Sequence, residues 1–132
     1  MMRQLTLAGV LAAGVLSMTV AAYQQPAAPP APKIVEVEKL KDNLYVMKGG
    51  GGNSAVFIGT DGVTVVDTKS PGWGQPLLEQ IKKVTDKPVK YVIYSHHHFD
   101  HIAGGKAFKD AGAKFIAHKR AKERLEALKD PH

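Results

Sequence analysis

The sequence predicts an α/β (α+β) fold, a mixed sheet with helices packed on one side. Three observations predict it: four short β-type runs in succession, a later switch to alternating helical and strand patterns, and a hydrophobic content of 44% in 132 residues, enough for one modest core. The β-type runs are Ile34 to Val37, Leu44 to Met47, Ala55 to Ile58 and, after an Asp61-Gly62 turn, Val63 to Val66. Their close succession predicts antiparallel hairpins. Pro76 then stands at an expected first helical position, and Leu77, Leu78, Ile81 and Val84 follow at the spacing of one apolar helix face. A strand at Tyr91 to Tyr94, a short helix around Ala103 to Lys109, a strand at Lys114 to Ala117 and an amphipathic helix through Ala121, Leu125 and Leu128 complete the pattern. Hairpins followed by β-α-β-α units predict one mixed sheet.

The N-terminal residues predict export. Met1-Met2-Arg3 supplies a positive start, Leu5 through Val20 is apolar, and Ala21-Ala22 suits cleavage, so residues 1–22 are expected to be a signal peptide. The alanine and glycine content favours cleavage over a retained span, which implies a periplasmic or secreted bacterial product with no stable membrane anchor. Residues 23–33 (YQQPAAPPAPK) are rich in proline and alanine and predict an extended spacer, with the folded domain over 34–132. The net charge of +6 comes from lysines spread between Lys33 and Lys129 without interleaved aromatics. That pattern predicts a solvated basic surface and no nucleic-acid partner. With no cysteine in the chain, disulfides and thiolate ligands are excluded, and a metal would be held by imidazole and carboxylate.

Four of the six histidines fall in His96-His97-His98-Phe99-Asp100-His101, directly after the apolar run Tyr91 to Tyr94. In extended backbone alternate side chains share a face, so His96 and His98 are expected to point together and His97 away. Asp100 and His101 fall at the turn into the next helix, where they could serve a second ion. Gly104 and Gly105 would let that helix approach closely. Zinc accepts neutral imidazole and carboxylate, and an open coordination position lowers the pKa of bound water toward ~7, making hydroxide available for attack.

The run HHHFDH resembles the HxHxDH signature of the metallo-β-lactamase superfamily. Upstream, Asn53 to Ile58 and Gly62 to Thr68 are similar to the two family strands that end in an aspartate, here Asp67. The resemblance runs from about Ile34 to Leu128 and implies an αββα sandwich of which this chain is the N-terminal part. It implies that His96 and His98 bind one zinc and Asp100 and His101 a second, with Asp100 also orienting the attacking water and handling its proton. Asp67 would sit beneath the site and hold the ligand loop by hydrogen bonds. An iron-dependent branch of the same superfamily carries a carboxylate where this chain has His98, which favours zinc and hydrolysis.

The implied activity is hydrolysis of an ester, thioester, lactone or β-lactam carbonyl in a small-molecule substrate. The alternative is an exported module that binds metal or a partner on the same fold without catalysis. The resemblance also implies further ligands that nothing after His101 matches, so the chain is expected to be truncated and to turn over little by itself. Gly49 to Gly52 lacks the Lys-Ser/Thr ending of a phosphate loop and predicts a flexible hairpin turn. Trp73 is expected to pack against the first helix, and His118 to flank a helix with no metal role.

Overall fold

The structure, a computed structural model, describes residues 29–127. The expected signal peptide and most of the expected spacer lie outside the described residues. No helix among those described is long and apolar enough to cross a membrane.

Six strands form one sheet in the order β1-β2-β3-β4-β5-β6. They are β1 Glu36–Lys41, β2 Leu44–Lys48, β3 Ser54–Ile58, β4 Val63–Val66, β5 Val89–Tyr94 and β6 Lys114–Ala117. The first four pair antiparallel and the last two join in parallel, so the sheet is mixed as expected. The helices are α1 Gly74–Val84, α2 Phe99–Ile102, α3 Gly105–Asp110 and α4 Lys119–Ala127.

Two boundaries differ from the sequence reading for physical reasons. Val35 is buried but lies before the ladder, and β1 itself is an edge strand whose six residues are all exposed. Its alternating charges hid it from an apolar pattern. The expected helix around Ala103 to Lys109 is α3, which starts only at Gly105 because the chain turns at Ala103-Gly104, and the short helix α2 precedes that turn.

The core lies where α1 and α3 cover one face of the sheet. Val56, Val65 and Val92 occupy one cross-strand row, fully buried, and cluster with Leu77, Leu78 and Ile81 of α1 and Phe108 of α3. Pro76 sits in the first turn of α1, where its missing N–H costs nothing. On the opposite face Phe57, Tyr91 and Ile116 are each between two-fifths and one-half exposed. The ends of β4 and β5 lie side by side in parallel register, with Val66 opposite Ile93. Asp67 and Ser95 therefore leave the sheet as neighbours, and the histidine cluster follows at that edge.

Candidate metal centre

Asp67 organises the site. It is 4% exposed and has φ +64°, a left-handed conformation that an L-residue other than glycine adopts only when its surroundings hold it there. Its backbone N–H donates to Ile93 O at 2.9 Å. Its carboxylate accepts three hydrogen bonds: Ser95 N–H at 2.8 Å on Oδ1, and Ser95 Oγ–H at 2.6 Å and His101 Nδ1–H at 2.7 Å on Oδ2.

These bonds decide the imidazole tautomers. With Nδ1–H committed to Asp67, His101 keeps its Nε2 lone pair for a cation. The Ser95 hydroxyl has one proton, which goes to Asp67, so its oxygen accepts from His96 Nδ1 at 2.9 Å. His96 likewise keeps Nε2 free. The His96 and His101 ring centroids are 4.1 Å apart, and His96 and His98 are 4.7 Å apart. Asp100 Oδ2 lies 3.4 Å from His101 Nε2.

The structure therefore brings His96, His98, Asp100 and His101 to one place, but not by the alternation expected of extended backbone. Residues 95–97 bend as they leave β5, and α2 then turns Asp100 and His101 back toward His96. Because of the bend His97 does not point to a separate face: its ring centroid is 5.0 Å from that of His98. Burial, followed by neighbouring His98, Arg124 and His96, lowers its pKa.

Donor atoms of Asp67, His96 and His101 come within 4.8 Å of one another, a spacing that fits a metal ion. Since both Asp67 oxygens are already hydrogen-bonded, the carboxylate suits orienting the imidazoles better than direct coordination. The donor chemistry fits zinc, with nitrogen from imidazole and oxygen from an exposed carboxylate. His118 is exposed, and its Nδ1 accepts the N–H of Arg120 at the start of α4, a helix-flanking role.

Three contributors were either missed in the sequence or given another role there. Ser95 links Asp67 to His96, and its place between a strand end and the first histidine was the available signal. The tetraglycine run is held down rather than free. Gly52 N–H donates to Asp100 O at 2.9 Å, Ser70 N–H donates to Gly50 O at 2.9 Å, and the Trp73 ring lies against Gly50. A Cβ on Gly52 would lie 2.6 Å from His101 Nε2, so only glycine allows the loop this close to the imidazole.

The third is Lys69, which corrects the reading of the lysines as a uniformly solvated surface. It is fully buried, has φ +72°, and donates from Nζ to Met47 O at 2.8 Å and Gly52 O at 3.1 Å. Lys33 departs from a free spacer as well: its Nζ donates to Gly72 O at 2.8 Å and lies 6.0 Å from the Trp73 ring centroid.

Burial lowers the Lys69 pKa from 10.5 to about 8. Between about pH 8 and 10.5 the unfolded chain holds a proton that the folded chain has released, so stability rises with pH across that window. The increment between pH 8 and 9.5 is on the order of 2 kcal/mol. Melting of the metal-free chain should show it, and Lys69→Met should abolish it. An equal rise in Lys69→Met would assign the effect to another group.

Comparison with known proteins agrees with this architecture. The family model described as the Metallo-beta-lactamase superfamily matches residues 47–128. A metallo-beta-lactamase type 2 from Elizabethkingia meningoseptica is 33% identical over 129 residues, covering 86% of this chain and 47% of that protein. A linear primary-alkylsulfatase from Pseudomonas is 43% identical over 49 residues, 36% of this chain and 9% of that protein. The solved metallo-beta-lactamase from Pontibacter korlensis shares the fold, with a TM-score of 0.67 and 18% identity over 72% of this chain and 48% of its own. The chain spans less than half the length of the curated relatives it matches. By its matched family model and its relative of 33% identity, the chain belongs to the metallo-beta-lactamase superfamily.

Proposed function

We propose that this chain carries part of the zinc centre of an exported hydrolase that acts on an ester, thioester, lactone or β-lactam carbonyl of a small molecule. The observation that carries the reading is the pair of tethered imidazoles: Ser95 and Asp67 engage Nδ1 of His96 and His101, leaving Nε2 of both free. His96, His98, Asp100 and His101 would hold the metal, and the family resemblance implies two ions in the complete protein. Bound zinc would supply Lewis acidity, polarising a carbonyl and acidifying water.

The chain's own residues do the rest. Asp67 keeps both imidazoles in the ligand tautomer and stabilises positive charge drawn onto them. Asp100, exposed and beside His101 Nε2, is the candidate catalytic residue that accepts or returns a proton at Oδ2. The glycine loop packs on Asp100 and His101 and limits water access from that side. Export to the periplasm rests on the Met1 to Ala22 pattern alone.

Zinc uptake by the purified chain tests the reading. His96→Ala and His101→Ala should each lower zinc affinity by tenfold or more, roughly the cost of losing a ligand or its support, while His118→Ala leaves it unchanged. Equal zinc uptake by all three variants would sink the proposed centre. A hydrolysis panel of nitrocefin, a lactone, a glutathione thioester and an alkyl sulfate, run on the zinc-loaded full-length protein, would then sort substrate classes. The sulfate ester is included because a relative is named an alkylsulfatase.

A further inference from the structure

We propose that Lys69 is a positioning residue for the metal centre, acting through the tetraglycine loop: its ammonium staples both stems of that loop, and the loop fixes Asp100 and His101. The proposal rests on the reading of residues 96–101 as a metal site.

A lysine at 0% exposure is costly, because its charge is removed from water and no carboxylate partner is found for it among the described residues. An apolar side chain of similar length would fill the same volume without that cost. What only the ammonium supplies is N–H donors aimed at two carbonyls, Met47 O at 2.8 Å near the end of β2 and Gly52 O at 3.1 Å just before β3. Those carbonyls bracket the glycine run. The run has no side chains with which to anchor itself, so its position depends on backbone bonds, the Trp73 ring against Gly50 and this one cation.

From Gly52 the connection to the site is direct. Its N–H donates to Asp100 O, and its Cα side faces the His101 imidazole so closely that a methyl group there would lie 2.6 Å from Nε2. The Lys69 backbone belongs to the same junction: Lys69 O accepts Gly104 N–H at 3.1 Å, and the preceding Thr68 N–H donates to His101 O at 2.6 Å. The left-handed φ of +72° at Lys69 directs the side chain from this junction to the loop stems. One residue thus links the ligand turn to the loop that packs over it.

The test uses the whole chain and Lys69→Met, which keeps the reach and removes the donors. In the metal-free protein, the His101 ring signals in a nitrogen–proton NMR correlation should shift and broaden while those of His118 stay in place. Zinc affinity, read by competition with a chromophoric chelator, should fall at least about tenfold. Ile81→Ala, buried at the far end of α1, serves as a stability-matched control that should melt earlier but keep the wild-type His101 signals and zinc affinity. Should Lys69→Met not fold, Lys69→Leu, which also lacks the donors, makes the same comparison. Wild-type His101 signals and zinc affinity in the lysine variant would overturn the proposal. So would a loss of affinity in Ile81→Ala as large as that in Lys69→Met. If the wild type takes up no zinc, the metal reading fails separately, and the His101 signals still decide whether Lys69 positions that ring.

Discussion

Asp67→Asn is expected to lower zinc affinity by about 10–100-fold, the range for losing a carboxylate that orients a ligand histidine, while the fold survives. Asparagine tolerates the left-handed backbone at φ +64° as well as aspartate does, so the substitution isolates the chemistry of the side chain. The carboxylate accepts from Ser95 N–H, Ser95 Oγ–H and His101 Nδ1–H, whereas an amide offers one acceptor and one donor group. If the amide oxygen keeps Ser95 N–H, the NH2 faces His101 Nδ1 and the Ser95 hydroxyl. His101 must then move its proton to Nε2, and Ser95, now an acceptor from the amide, donates to His96 Nδ1. Both imidazoles end in the tautomer that cannot bind a metal without losing a proton. Chelator competition reads the affinity, and imidazole nitrogen shifts read the tautomers. Affinity within twofold of wild type would refute the orienting role. Stability should drop by about 1–3 kcal/mol, because neutral hydrogen bonds replace those to a charged carboxylate.

Gly104→Ala is expected to be the most damaging small substitution. The added methyl would run into the backbone carbonyl of Thr68 and the backbone of Gly74, which are main-chain atoms and cannot rotate aside. Gly74 opens α1 and meets the Gly104 carbonyl in return, so the two glycines are the contact at which α1 approaches the turn between α2 and α3. Separating them costs roughly 3 kcal/mol or more, the upper range for overpacking. At about 4–8 °C per kcal/mol for a domain of this size, melting should fall by more than about 10 °C. Zinc affinity should fall too, because Thr68 N–H and Oγ1–H both donate to His101 O from the displaced segment. Melting within a few degrees of wild type would show that this junction yields easily.

The sheet was legible in the sequence wherever one face is buried, because burial imposes alternation. Val56 and Val65 are fully buried, while their neighbours Phe57 and Thr64 lie on the other face. β1 was placed too early because Ile34 and Val35 look like strand, whereas Glu36–Lys41 pairs through its backbone with exposed side chains. The candidate cluster could be named in the sequence by residue type, and its geometry could not. Alternation suggested His96 beside His98, yet His101 lies closer to His96 because α2 reverses the chain. Lys69 was illegible for a different reason. A lysine ordinarily signals solvent, and nothing local reveals that two carbonyls from a loop about 20 residues upstream will surround it.

Lys69 sets two selection pressures against each other. Methionine there would fill the same volume and remove a buried charge, so heat resistance alone favours the change. Metal capture favours the donors that methionine lacks. A library enriched only for survival at high temperature would therefore drift toward a sturdier and emptier protein, and the codon where the enrichments disagree would mark the function.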